Sequence, residues 1–262
     1  MGIINLTPDS FYEGSRSNSV HEALRKASQQ LEGGADIIDI GAYSSRPGAT
    51  DITEKEELER LLPTLRAIRK EFDTAVISID SFRSSIAKLA IEEGADIIND
   101  ISGGVQDKKM LEVVGQKKAA YVLMHMQGNP QNMQQNPSYN NVIEELLSYF
   151  SSRVSEAKQH GINDLIIDPG IGFGKSLEHN YLILKNLHRF EVFGLPTLIG
   201  ISRKSVINKV LNTNPLNSLN GTTALHTIIA SKAECIFRVH DSKEMKEVLK
   251  LIDFYSQVKD EA

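Results

Sequence analysis

Leu165-Ile166-Ile167-Asp168-Pro169-Gly170-Ile171-Gly172-Phe173-Gly174-Lys175 is the stretch on which the fold turns. A short apolar run stops abruptly at a carboxylate. Pro169 lacks the ladder N–H and cannot continue a central strand, and the glycines that follow free the backbone for tight turns. The stretch predicts a buried strand that delivers Asp168 into an open, glycine-rich loop. Lys175 closes that loop, and a helical pattern begins at Leu177. A polar strand end with a turn is common in any α/β protein, so the weight falls on repetition.

The chain does repeat the design. Gly34-Ala35-Asp36-Ile37-Ile38-Asp39 and Gly94-Ala95-Asp96-Ile97-Ile98-Asn99 are nearly the same hexapeptide, and Gly161 to Asp168 is a looser third copy. Each has a helix-stopping glycine, a short turn, a β-branched strand and a terminal Asp or Asn. Further strands are predicted at 2–4, 76–79, 121–124, 197–200 and 235–238. Helices alternate with them at about 20–32, 83–93, 108–116, up to 159, and 243–255, and another is capped by Thr53 with Glu56 completing a capping box. About eight such units closing on themselves make a single-domain (β/α)8 barrel over residues 1–262, with functional groups at the C-terminal strand ends. The alternative is an open doubly wound sheet. Polar groups end nearly every strand rather than two strands beside a crevice, and this favours the barrel.

Composition narrows the function. A net charge of −5 argues against a nucleic-acid binder, whose phosphate contacts need a basic surface. The single cysteine, Cys235, cannot form an intrachain disulfide and reads as a small buried hydrophobe in a reducing, cytoplasmic setting. The N-terminus lacks the basic and apolar regions of a signal peptide, and no apolar run approaches the roughly 20 residues of a membrane span.

Barrel closure would gather Asn5, Asp39, Asp80, Asn99, Met124, Asp168, Lys204, Arg238 and His240 at one mouth. Taken singly, each of these is more often a solvated strand end or a turn cap than a reactive group. Together, the early and middle strands supply carboxylates and amides suited to a donor-rich heterocycle, and the last two supply cations suited to an anion. Gly200-Ile201-Ser202-Arg203-Lys204-Ser205 places cations and hydroxyls at a helix start, where free N–H groups favour phosphate or carboxylate. Arg203 itself reads as a solvated cation. Arg46 lies in a serine-rich turn that could reach over the mouth. His125, between two methionines, reads as a packed or supporting histidine. His21, His160, His179, His188 and His226 read as surface or satisfied groups. The glycine-rich loop fits neither nucleotide-loop spacing, and no Cys/His set has zinc spacing.

These motifs resemble the dihydropteroate synthase family. The likeness rests on Ile3-Ile4-Asn5-Leu6-Thr7-Pro8-Asp9-Ser10-Phe11, Ser78-Ile79-Asp80, Ile97-Ile98-Asn99-Asp100, Leu123-Met124-His125-Met126, Asp168 to Lys175, Ser202-Arg203-Lys204-Ser205 and Arg238-Val239-His240-Asp241. It implies condensation of 6-hydroxymethyl-7,8-dihydropterin diphosphate with p-aminobenzoate, the step that sulfonamides target, with loss of diphosphate assisted by Mg2+. It implies that Asp168, Asp80 and Asn99 take the pterin edge, that Met124 and Phe173 line its pocket, and that Lys204 donates to its ring. Arg238, His240 and Asn5 would hold the diphosphate, Asn5 being the Mg2+ position, and Ser205 would receive the p-aminobenzoate carboxylate. Asp9, Glu13, Ser45, Arg46 and Pro47 fall in two loops that would close over the site. The resemblance also implies a homodimer. Glu13 stands where Asp is frequent, Ser45 where Thr is usual, and Tyr43 where an acid is usual. The rivals are a methyltetrahydrofolate-type pterin methyltransferase and a pterin-binding barrel without turnover.

Overall fold

The computed structural model describes residues 1–6, 16–44, 51–128, 133 and 135–259. Eight strands form one parallel sheet in chain order: β1 (Gly2–Asn5), β2 (Ile37–Gly41), β3 (Val76–Asp80), β4 (Ile97–Asp100), β5 (Ala120–Met124), β6 (Leu165–Asp168), β7 (Thr197–Ile199) and β8 (Cys235–Phe237). Just past β8, Val239 bridges back to Gly2. The Ile3 N–H donates to the Val239 carbonyl at 2.9 Å, and the Val239 N–H donates to the Met1 carbonyl at 2.9 Å. The sheet therefore closes, and the open doubly wound alternative is excluded.

Between and around the strands run α1 (Arg16–Glu32), α2 (Glu54–Glu71), α3 (Ser84–Glu92), α4 (Met110–Lys117), α5 (Val142–Gln159), α6 (Leu177–Lys185), α7 (Ser205–Leu211), α8 (Leu219–Ala230) and α9 (Ser242–Gln257). The predicted capping box at Thr53 and Glu56 is present. Gly161, at φ +82°, follows α5 in the left-handed region that glycine adopts most cheaply. The first helix starts four residues earlier than the sequence pattern suggests, at Arg16 rather than Val20, because its first turn carries no apolar signal.

Strand alternation positions the site. Side chains such as Ile38, Ile40, Ile77, Ile79, Tyr121, Leu165 and Ile167 pack outward in the main core with the helices. The alternate positions point into the barrel. At its lower level Met1, Ile97, Val122, Ile166 and Leu198 form a separate apolar cluster, joined by Ile37, Ala120 and Ile236. Two residues further along the same strands, on the same inward face, come Asp39, Asn99, Met124, Asp168, Gly200 and Arg238. The barrel interior is thus apolar below and charged above. Cys235 is half-buried rather than buried, and burial still pushes its thiol up to about 12.

Candidate active site

One wall of the upper layer is built from β2, β3, β4 and β8. Asp39 is fully buried. Its Oδ1 accepts from the Ser78 hydroxyl at 2.6 Å, and the Asn99 amide donates to both of its oxygens at 3.3 Å. Arg238 donates through Nε to Asp39 Oδ2 at 2.6 Å and through Nη2 to Asp80 Oδ2 at 2.8 Å. Burial pushes Asp80 up to about 7; Arg238 opposes the rise and the like charge of Asp39 adds to it. Burial also works against the charge on Arg238, but Asp39 and Asp80 outweigh it and hold the guanidinium protonated. The predicted split, with acids on one side and cations on the other, does not occur. Closure brings β8 beside β1, so Arg238 reaches Asp39 and Asp80, and the charges interleave.

The other wall comes from β5, β6 and the segment before α7. Met124 lies opposite Asp168 in the strand register. Among the described residues Asp168 accepts one hydrogen bond, at Oδ1 from the Gly170 N–H at 2.7 Å. Gly170 has to be glycine: its φ is +69°, and a Cβ there would sit 1.9 Å from the His125 carbonyl oxygen. Burial raises the Asp168 carboxyl above its usual range, with Lys204 the strongest opposing charge. Lys204 donates to the Ile171 carbonyl at 2.9 Å, and its Nζ lies 4.7 Å from the centre of the Phe173 ring. Burial lowers this ammonium to about 8, opposed by Asp168.

Between the walls, His240 Nδ1 lies 3.0 Å from the Ser202 hydroxyl, and that hydroxyl accepts from the His240 N–H at 3.2 Å. Burial lowers the imidazole to about 4, so it is neutral near pH 7. Assigning the Ser202 hydroxyl as donor to Nδ1 places the ring proton on Nε2. Asn5 ends β1 at the level of Gly41, and Gly41 pairs in turn with Asp80 and so with Asn99. Its amide oxygen is a hard donor of the kind Mg2+ takes alongside water and phosphate oxygens. Ser205 is exposed at the first turn of α7. Asp9, Ser45 and Arg46, with Glu13 and Pro47, lie outside the described residues.

Arg203 is not the solvated cation that its position suggests. Its guanidinium holds Asp241 through two hydrogen bonds of 2.8 Å and donates to the Pro215 and Leu216 carbonyls. His226 is neither on the surface nor satisfied: it is buried edge-on against Phe237, and its Nε2 has no hydrogen-bond partner among the described residues. His125 is the supporting residue expected, facing Lys175. Asp39 is at the mouth as barrel closure predicts, but it is given no ligand role by the family resemblance; here it is the buried partner of Ser78 and Arg238.

A closed parallel barrel with carboxylates, amides and cations on the inner face of its C-terminal mouth defines the class: a (β/α)8 enzyme with a polar pocket for a small, hydrogen-bonding ligand. Residues 1–240 match the pterin binding enzyme family. A dihydropteroate synthase from Synechocystis sp. is 43% identical over 256 residues, spanning 97% of this chain and 88% of that protein. The structure of Yersinia pestis dihydropteroate synthase with a sulfonamide drug superposes with a TM-score of 0.91 at 38% identity, covering 98% and 94% of the two chains. That of Xanthomonas albilineans dihydropteroate synthase with 4-aminobenzoic acid gives a TM-score of 0.91 at 33% identity, covering 98% and 93%. The chain belongs to the pterin-binding enzyme family, among the dihydropteroate synthases.

Proposed function

We propose that this chain condenses 6-hydroxymethyl-7,8-dihydropterin diphosphate with p-aminobenzoate at the barrel mouth, giving 7,8-dihydropteroate and diphosphate for folate synthesis. The observation that carries this reading is Asp168: a buried carboxylate with a single hydrogen bond among the described residues, flanked by Lys204 resting on Phe173. An ionised carboxylate accepts from adjacent N–H donors, which is what a 2-aminopyrimidinone edge presents. Asn99 and Asp80 extend that edge, Met124 and Phe173 pack against the ring, and Lys204 donates to it. Arg238, His240 through Nε2–H, and Asn5 face the diphosphate, and Ser205 takes the aminobenzoate carboxylate. The family resemblance assigns catalytic roles to Asp9, Ser45 and Arg46, which lie outside the described residues.

The bond to the departing oxygen breaks as charge develops on the diphosphate, and fixed cations aimed at that charge lower the barrier. A delocalised pterin methylene cation suits a dissociative path, attacked by the aniline nitrogen. Asn5 would hold Mg2+, which when bound neutralises diphosphate charge. Methyl transfer from methyltetrahydrofolate would share the carboxylates but would leave Ser205 without an anion to receive.

Supporting a homodimer, α8, α9 and the segment before α8 expose large apolar side chains, among them Leu216, Ile228, Leu251, Phe254 and Tyr255. No helix among the described residues is long and apolar enough to cross a membrane, and the net charge of −5 disfavours nucleic acid as a partner. The deciding experiment is a diphosphate-release assay. Release is expected only with both substrates and Mg2+ present; pterin binding without release would leave a binding barrel.

A further inference from the structure

Lys175 closes the glycine-rich loop and has no place in either wall of the site, yet it is only 3% exposed. Its ammonium donates to the carbonyls of Phe173 at 2.9 Å, Gly170 at 3.0 Å and His125 at 3.2 Å, and it faces His125 Nδ1 at 3.1 Å. An ammonium carries three protons and accepts nothing, so the three carbonyls occupy all of its donors and His125 Nδ1 can only share one of them. These acceptors come from the two segments that frame the pocket: His125 follows β5, and Gly170 and Phe173 lie in the loop after β6.

The same loop residues hold the ligand-facing groups from the other side. Gly170 gives its N–H to Asp168 and its carbonyl to Lys175. Phe173 presents its ring to Lys204 and its carbonyl to Lys175. Displacing the ammonium would release both at once. The charged groups around it are few. Lys175 is acted on by Asp168 and by Lys204, and Asp168 by Lys204, Lys175 and Arg238. His125, pushed down to about 3 by burial, is neutral and serves as an acceptor.

We propose that Lys175 is a positioning residue for the pterin pocket: its buried ammonium ties the loop from Gly170 to Gly174 against His125 and supplies a positive charge behind Asp168. This rests on the assignment of the pterin to Asp168 made above. Burial lowers Lys175 itself to about 7, with Asp168 opposing; the carboxylate and the ammonium thus favour each other's charged form.

The test uses Lys175→Met, Lys175→Gln and Lys175→Arg in the full chain, with both substrates varied at several pH values. In the two neutral variants the KM for pterin diphosphate is expected to rise about tenfold, the loss of roughly one charge-assisted hydrogen bond. The KM for p-aminobenzoate is expected to stay within about twofold. The acid limb of kcat/KM for the pterin is expected to move up by about one pH unit as Asp168 loses a nearby cation. Lys175→Arg keeps the charge but not the fit, so its acid limb should remain that of the wild type while the pterin KM rises. Folded neutral variants with wild-type pterin KM and acid limb would overturn the proposal, as would equal rises in both KM values. Failure of both neutral variants to fold would also overturn it, since the residue would then hold the fold rather than the site. An inactive wild type would instead defeat the proposed reaction, and pterin affinity by calorimetry would still decide the role of Lys175.

Discussion

The two walls of the barrel mouth satisfy their charges in opposite ways. On the β2–β3–β8 wall, side chains satisfy one another: Arg238 holds Asp39, 199 residues away, and Asp80, 158 residues away. On the β5–β6 wall, charges are met mainly by the backbone. Asp168 takes the N–H two residues on, Lys204 donates to the Ile171 carbonyl, and behind the wall Lys175 donates to the carbonyls of Phe173, Gly170 and His125. In the first wall the charged groups already hold one another, so a ligand reaches those charges by sharing or displacing Arg238. The second presents a carboxylate with one bond made and capacity left over. The comparison assigns anchoring of the ligand to the second wall and rigidity of the mouth to the first.

Breaking the first wall should cost stability above all. Arg238→Met strands Asp39, which is fully buried, and is expected to destabilise the fold by about 3–5 kcal/mol in urea denaturation. Adding Asp39→Asn should recover part of that loss; no recovery would mean the two do not act as a pair. Breaking the second wall should cost binding instead. Asp168→Asn turns an acceptor into a donor facing donors, and a loss on the order of 100-fold, about 3 kcal/mol, in pterin affinity by calorimetry is expected with little change in the urea midpoint. Unchanged affinity would remove Asp168 from the site.

Lys204→Ala should lower kcat/KM about tenfold, roughly 1.4 kcal/mol. The pH profile sharpens this. Burial holds Lys204 at about 8, so its charge is lost as pH rises through that value and activity should fall there. Lys204→Arg, charged at all working pH values, should move that limb upward; a limb that stays in place belongs to another group. An effect of similar size is expected for Ser78→Ala, which removes a 2.6 Å hydrogen bond to Asp39 and should cost about 1.5 kcal/mol of stability.

The same contrast explains what could be read from the chain. Asp168 is legible because its strand, the Pro169 stop and the glycines are contiguous, and the strand period of two gives Asp80 and Asn99 their inward direction. The barrel is legible because Gly34 to Asp39 recurs at Gly94 to Asn99. The pairing of Arg238 with Asp39 is not, since it depends on closure of β8 onto β1, which no local pattern encodes. Arg203 looks like a helix-start cation because its partner Asp241 lies 38 residues on. Lys175 looks like a loop end because its acceptors are backbone carbonyls, whose direction the residue types do not state.

The most direct measurement is a crystal structure with 6-hydroxymethyl-7,8-dihydropterin diphosphate bound. The ring should lie in the barrel mouth with its amino edge on Asp168 and Asn99, its face against Phe173 and its diphosphate toward Arg238 and His240. A pterin seated elsewhere, touching none of Asp168, Asn99 and Lys204, would contradict the account.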